Sequence, residues 1–141
     1  AGRNQDIKDE ASLAGKIVAT QSGGGTIEEY LEGNPELTAS FKEFKKYQDY
    51  LAAFMDLENG RIDAVVGDEI IGRYYMSKHP DKLEAVAVTV GPTTQFGVGF
   101  RKDDQALRDK VQKALDEMRA DGTMTKISEK WFAADITKLN K

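Results

Sequence analysis

The feature that most constrains this fold is the regular alternation of short β-prone runs with helical patterns. Three β-prone runs, at residues 16–21, 40–47 and 61–68, are followed by helical patterns at residues 26–32, 48–58 and 69–78. The run at 61–68 is rich in Val, Ile and Ala, which is typical of a strand covered on both faces. Strands that alternate with helices pack as right-handed crossovers, so the sequence predicts an α/β domain with a central, mainly parallel sheet flanked by helices.

In the last third of the chain, strands and helices no longer alternate. Two further strands are predicted at residues 83–90 and 95–100, followed by helices at 103–121 and 123–132. In the longer helix the apolar residues are separated by four, four and three positions, which is the spacing of one helix face: Leu107, Val111, Leu115 and Met118. We therefore expect a C-terminal helical pair after the sheet.

The composition excludes several classes of function. The net charge is −4 with both signs interspersed, so we expect no nucleic-acid partner. Cys is absent, and the single His79 precedes Pro80 at a helix end, where a solvated position is expected. Thiol catalysis, a Ser-His-Asp triad and the common zinc sites are therefore disfavoured, and we expect neither a metal nor a cofactor.

The sequence also bears on location. No apolar run is long enough to span a bilayer, and the first ten residues are polar, without a signal-peptide pattern. These features indicate either a cytosolic chain or a processed or excised part of a longer protein.

A run of three glycines separates the first predicted strand from the first helix. Gly23, Gly24 and Gly25 precede Thr26, and Thr26 with Glu29 matches a capping box. Free backbone N–H groups at a helix start favour an anion. The alternative is that the glycines only form the turn and that Thr26 only caps the helix.

The third predicted strand ends in Gly67 and Asp68. If the first strand lies between the second and third, its glycine loop and Asp68 meet in the crevice beyond the carboxyl ends of the strands. A carboxylate there favours a cation, although Asp68 could equally serve as the N-cap of the next helix. Together the two loops suit the carboxylate and ammonium of an α-amino acid. A nucleotide loop is less well supported, because Gly25 is followed by Thr26-Ile27 instead of Lys and Ser or Thr.

Four segments in order resemble the polar amino-acid solute-binding proteins of bacterial ABC transporters, between residues 7 and 132: SLAGKIVATQSGGGTIEEYL, LENGRIDAVVGDEIIGRYY, FGVGFRKDD and LRDKVQKALDEMRADGTMTKISEKWF. The resemblance implies a periplasmic-binding-protein type II fold, in which two α/β lobes close on the ligand. It implies that residues 1–102 form the second lobe with the returning hinge strand, and that residues 103–141 are C-terminal helices that normally belong to lobe one.

The resemblance also implies a set of ligand contacts. Thr26 and the Gly25 region would contact the α-carboxylate and Asp68 the α-ammonium, while Ser22 and Gly67 would lie near the ligand side chain. Gly67 would leave room for a long or basic side chain. The full set of candidate ligand-binding residues is Ser22, Gly24, Gly25, Thr26, Gly67 and Asp68, and no catalytic residue is expected.

The sequence departs from the family pattern in one respect, because members of the family normally have about one further lobe of sequence before the position of Ala11. We therefore expect a partial, weakened binding module for a polar or basic amino acid. In the full-length protein it would work with the membrane subunits of an ABC transporter, in the periplasm or anchored outside the cell membrane. The apolar stripe of the long helix would fold back on this chain or dock into a second copy as a swapped dimer.

Two other functions remain open at this point. One is an enzyme on the same fold that acts on a small carboxylate, such as a dehydratase-like protein, and the other is the sensor domain of a receptor. The amino acid also remains open, with glutamine, arginine, lysine, histidine and cystine as the candidates.

Overall fold

The computed structural model describes residues 6–23, 25–86 and 88–137, so the candidate residue Gly24 lies outside the described part. The chain divides into two units, Ala1–Thr93 and Thr94–Lys141. In chain order the strands and helices are β1 (Ile17–Gln21), α1 (Thr26–Glu32), α2 (Pro35–Ser40), β2 (Glu43–Tyr47), α3 (Tyr50–Glu58), β3 (Ala64–Val65), α4 (Glu69–Lys78), α5 (Gln105–Ala120) and α6 (Thr123–Phe132).

The first unit is built on a three-stranded parallel sheet in the order β2-β1-β3. Val18 in the central strand pairs with Phe44 of β2 and with Ala64 of β3. The first strand therefore lies between the second and the third, which is the condition on which the predicted crevice depends. Strand β3 is shorter than the predicted run at 61–68, although Val66 N–H still donates to the Ala19 carbonyl oxygen at 2.8 Å.

The core of this unit lies against the central strand. Val18, Ala19 and Thr20 are fully buried, and Leu31 of α1 is buried in the same unit. The Thr20 hydroxyl is satisfied, because it donates to the Val66 carbonyl oxygen at 2.9 Å. A buried hydroxyl that finds a partner costs little, so the sheet centre can include a polar residue.

Aromatic rings join α3 to α4. The Phe54 and Tyr75 ring centroids lie 4.7 Å apart, and the His79 ring stacks on Tyr75 at 4.1 Å. His79 Nδ1 also lies 3.1 Å from Glu58 Oε1. The His79 side chain is 41% exposed at the end of α4, so it keeps the expected contact with solvent while it also contacts a ring and a carboxylate.

The structure differs from the sequence prediction at three other places. Helix α2 was missed, although Pro35 at its first turn is a recognised helix-start signal. The predicted strands at 83–90 and 95–100 are wrong, since the described residues of both segments lie outside any strand. In the second segment Phe96 and Val98 are 72% and 63% exposed, and an extended run needs a hydrogen-bonded neighbour to become a strand.

The second unit holds a helical pair, as predicted. Helices α5 and α6 pack together, and Gly122 connects them with a left-handed φ of 79°. The buried Ser128 hydroxyl donates to the Ala134 carbonyl oxygen at 2.7 Å and accepts from Ile136 N–H at 3.0 Å. Leu107, from the predicted apolar stripe, is 48% exposed. The swapped dimer stays a prediction, as does the assignment of residues 1–102 and 103–141 to two lobes.

Among the helices of the described residues, none has the length and apolar character that a bilayer crossing requires.

Candidate functional site

Two loops leave the same edge of the sheet. β1 and β3 are parallel neighbours, so the loop after Gln21 and the loop after Val66 both start at the carboxyl edge of the sheet. The structure thereby places Ser22 and Gly25 on one of these loops, with Thr26 at the start of the helix that follows, and Gly67 and Asp68 on the other. In open α/β sheets, ligands bind beyond this edge, in the crevice between such loops.

The start of α1 differs from the predicted capping box. Gly25 is the N-cap residue, with φ −79° and ψ 158°, and Thr26 is the first residue of the helix. The interpretation of Thr26 as the helix cap is therefore wrong. The Thr26 side chain is exposed and lies at the crevice. Glu28, three residues after the cap, reaches back to the glycine loop, but it accepts from the Gly23 N–H instead of the N-cap N–H of Gly25.

Glu28 shapes the glycine loop from within. Its Oε2 atom accepts from the Gly23 N–H at 2.9 Å, and Gly23 adopts a φ of 129°, which favours glycine. Glu28 is only 8% exposed. The Gly23 N–H therefore already has an acceptor within the protein. Of the groups predicted to bind an anion, those at Gly25 and Thr26 remain.

A lysine from β2 compensates the buried charge. Lys46 Nζ lies 3.1 Å from Glu28 Oε1 and also pairs with Glu32. The hydrogen bonds to Glu32 and then to Glu28 raise the pKa of Lys46. Sequence reasoning missed this pair, and the only available signal was a Glu in the first turn of a helix that follows a glycine loop.

Ser22 is held by the end of β2. Its N–H donates to the Tyr47 carbonyl oxygen at 2.7 Å, and its hydroxyl donates to the same oxygen at 3.1 Å. The hydroxyl hydrogen is thus directed to the backbone, which leaves the Ser22 oxygen as an acceptor for a ligand.

Asp68 occupies the N-cap position of α4 but does not cap the helix with its side chain. Asp49, at the N-cap of α3, does so, because its Oδ1 accepts from Ala52 N–H at 2.8 Å. Within the described residues, no ion pair involves Asp68. The half-buried Asp68 carboxylate therefore makes no contribution to the start of α4 as a cap.

Tyr50 is a neighbour of the crevice that sequence reasoning missed. An ideal Cβ on Gly67 would lie 2.7 Å from the Tyr50 Cζ atom and 2.8 Å from its Oη atom. The expectation that Gly67 leaves room for a ligand side chain is corrected here, since the Tyr50 ring fills the space on the Cβ side. Burial raises the pKa of Tyr50, and the Asp68 carboxylate raises that pKa further.

In residues 6–23, 25–86 and 88–137, His, Asp and Glu side chains form no group of three or more that could hold a metal ion.

Comparison with known proteins decides the family. Residues 13–134 match the bacterial extracellular solute-binding proteins, family 3. The chain belongs to this family. The resemblance inferred from the four sequence segments is thereby confirmed, and family 3 consists of solute-binding proteins.

Two curated relatives of this family 3 chain come from Escherichia coli strain K12. ABC transporter arginine-binding protein 1 is 35% identical over 134 residues, which cover 92% of this chain and 53% of that protein. L-cystine-binding protein TcyJ is 35% identical over 137 residues, which cover 97% of this chain and 49% of that protein. The chain thus spans about half the length of the curated relatives it matches.

Solved structures give the same result for the fold. An ancestral arginine-binding protein bound to arginine matches with a TM-score of 0.63 at 35% identity, covering 92% of this chain and 56% of that chain. The helix-flanked parallel sheet agrees with the periplasmic-binding-protein type II fold of such neighbours, so the predicted fold class is confirmed.

Proposed function

We propose that this chain supplies one side of an amino-acid-binding site in an ABC importer. The observation that carries the proposal is Asp68, a half-buried carboxylate at the end of β3 that does not cap its own helix. The glycine turn after the neighbouring strand β1 starts at the same edge of the sheet. Relatives named as arginine-binding and L-cystine-binding proteins support a ligand that carries both an ammonium and a carboxylate.

The two loops have complementary charge preferences. Asp68 would accept hydrogen bonds from the α-ammonium, which are charge-assisted and stronger than neutral ones. Backbone N–H groups near Gly24 and Gly25, together with the Thr26 hydroxyl, would donate to the α-carboxylate. Ser22 would add an acceptor at the side of the crevice. Gly67 would border the ligand through its backbone, since Tyr50 occupies its Cβ side.

The proposal treats the chain as part of a larger binding protein. In this view residues 1–102 act as the second lobe and residues 103–141 as helices that complete the other lobe. The membrane subunits of an ABC transporter would be the partners, and the site of action would be the periplasm or the outer face of the cell membrane. We propose binding without turnover, because the family consists of solute-binding proteins.

A thermal-shift screen of the twenty amino acids and cystine would test the proposal on the complete product of the gene that encodes this chain. A ligand that binds only the folded state raises the melting temperature with concentration. We expect a shift with at least one polar or basic amino acid, and we expect that shift to be lost in Asp68→Asn. A complete absence of shifts, or an Asp68→Asn variant that binds as well as the wild type, would contradict the proposal.

A further inference from the structure

A nearly buried ion pair holds the start of the glycine turn. Both carboxylate oxygens of Glu28 have partners, since Oε2 accepts from the Gly23 N–H at 2.9 Å and Oε1 lies 3.1 Å from Lys46 Nζ. A glutamate is rarely buried to this extent unless it is paired. The pair therefore joins three separate parts of the first unit, which are the turn after β1, the first turn of α1 and strand β2.

The backbone at Gly23 has a conformation that few other residues could adopt. Its φ is 129°, while an added Cβ would meet nothing within 4 Å, so glycine is required here by the backbone and not by a lack of space. The N–H of the preceding Ser22 donates to the Tyr47 carbonyl oxygen at 2.7 Å. Contacts from β2 and from α1 thus fix two successive amides at the start of the turn.

By itself, the Glu28 carboxylate would oppose an anionic ligand. It lies in the first turn of α1, three residues after Gly25, and Gly25 and Thr26 are proposed to bind the ligand α-carboxylate. Like charges repel, and they repel more strongly where the protein excludes water. The Lys46 ammonium compensates this charge. The carboxylates of Glu32 and then of Glu28 raise the pKa of Lys46, so the ammonium is charged throughout the neutral range.

We propose that Glu28 and Lys46 are positioning residues of the amino-acid site. Glu28 holds the glycine turn at Gly23, and Lys46 neutralises Glu28 so that a ligand carboxylate can bind on the same turn. This inference rests on the proposed function, and neither side chain needs to touch the ligand. The conformation of the turn then depends on the Glu28 oxygen, whereas the affinity for the ligand depends on the charge of the pair.

A double-mutant cycle tests the charge role of Lys46. Titration calorimetry of the complete gene product with arginine, histidine, glutamine and cystine would give the Kd of each variant. Lys46→Met removes the cation beside Glu28, and we expect Kd to rise about threefold to tenfold. Glu28→Gln keeps an oxygen for the Gly23 N–H, and in that background Lys46→Met should cause no further loss, since no carboxylate charge remains at position 28.

Glu32→Gln is the matched control for the loss of a surface ion pair. Glu32 also pairs with Lys46, but its side chain is 54% exposed. We expect Glu32→Gln to bind at least as tightly as the wild type. The inference would be overturned by equal losses from Lys46→Met in both Glu28 backgrounds, by a Lys46→Met variant that binds like the wild type, or by a loss of the same size in Glu32→Gln.

Hydrogen exchange of the Gly23 amide tests the role of Glu28 without a ligand. We expect faster exchange in Glu28→Ala than in the wild type or in Glu28→Gln, because only Ala removes the acceptor oxygen. The Ser22 amide, which donates to the Tyr47 carbonyl oxygen, is the internal reference and should be unchanged. An unchanged Gly23 rate, or an equal increase at both amides, would overturn this role of Glu28.

The two measurements separate this inference from the proposed function. If the wild type binds none of the tested amino acids, the proposed function and the role of Lys46 fail together. The exchange rates of the Gly23 and Ser22 amides then still decide whether Glu28 holds the turn.

Discussion

The Tyr50 ring occupies the space that a side chain at Gly67 would need, with its Cζ and Oη atoms 2.7 and 2.8 Å from an ideal Cβ on that glycine. A positive φ is not the reason for this glycine, since its φ lies outside the left-handed region. Glycine is needed at position 67 because a ring from α3 approaches the backbone there. This contact joins the end of β3 to α3 at the crevice.

We predict that Gly67→Ala lowers the free energy of unfolding by about 1–3 kcal/mol, because the new methyl group forces the Tyr50 ring to move. The loss should be much smaller in a Tyr50→Leu background, which lacks the ring. Urea unfolding of the four proteins would measure both effects. Gly72→Ala is the control, since its Cβ would meet nothing within 4 Å inside α4, and it should stabilise by about 0.5–1 kcal/mol. Equal losses in both Tyr50 backgrounds would contradict the prediction.

The two N-cap aspartates should respond differently to substitution. Asp49→Ala should cost about 1 kcal/mol of stability, because Asp49 accepts the Ala52 N–H, and should leave amino-acid affinity unchanged. Asp68→Ala should leave stability within about 0.5 kcal/mol, because the side chain does not cap α4, and should weaken binding by about 10-fold to 100-fold, the loss expected for a hydrogen bond to a charged group. Thermal unfolding and calorimetric titration would check the pair. The same loss of stability in both variants would show that Asp68 is a structural cap.

Glu28→Ala should destabilise the first unit by about 1–3 kcal/mol. The Gly23 N–H would lose its acceptor, and Lys46 would lose one of its two carboxylate partners. Both losses are costly because Glu28 is nearly buried. Glu32→Ala is the matched control, because Glu32 also pairs with Lys46 but is more exposed, and its loss should stay below about 1 kcal/mol. Chemical denaturation with matched baselines would compare the two variants. A larger loss for Glu32→Ala than for Glu28→Ala would reverse this assignment.

Alkaline pH should weaken the fold through Tyr47. Burial and then its hydrogen bond to Asp56 raise the pKa of Tyr47 from 10.0 to about 12. A folded-state pKa above the unfolded value means that this stabilisation is complete below pH 10 and is lost as the pH rises toward 12. Melting temperatures of the wild type and Tyr47→Phe, measured between pH 8 and 12, should therefore differ most at pH 8 and converge at the alkaline end. A difference that stays constant across this range would contradict the prediction.

Local patterns were sufficient for many elements of the fold. The bounds of α1, α4 and α6 were predicted from the sequence, because a helix start or stop and the burial of one face are read within about ten residues. The parallel arrangement also followed from the alternation of strands and helices. The order β2-β1-β3 was a condition of the argument for the crevice, and the structure meets it. The position of Asp68 at the end of β3 came from the same reasoning.

Contacts between distant residues were not accessible to that reasoning. The strands expected at 83–90 and 95–100 had suitable composition, but pairing depends on a neighbour that composition does not specify. At the start of α1 the cap lies on Gly25 instead of Thr26, and Glu28 accepts from the Gly23 N–H and pairs with Lys46 of β2, a partner that the local sequence does not indicate.

The sequence by itself determined the family, the α/β class and the two loops that border the crevice, because each is written in short segments and their order. The tertiary structure alone decided which groups at the crevice are already engaged. Gly23 donates to Glu28, Ser22 donates to Tyr47, and Tyr50 fills the space beside Gly67, while the Asp68 carboxylate does not cap its helix. These contacts join groups that are separate in the sequence. The groups come within hydrogen-bonding or packing distance of one another only when the helices and strands pack together.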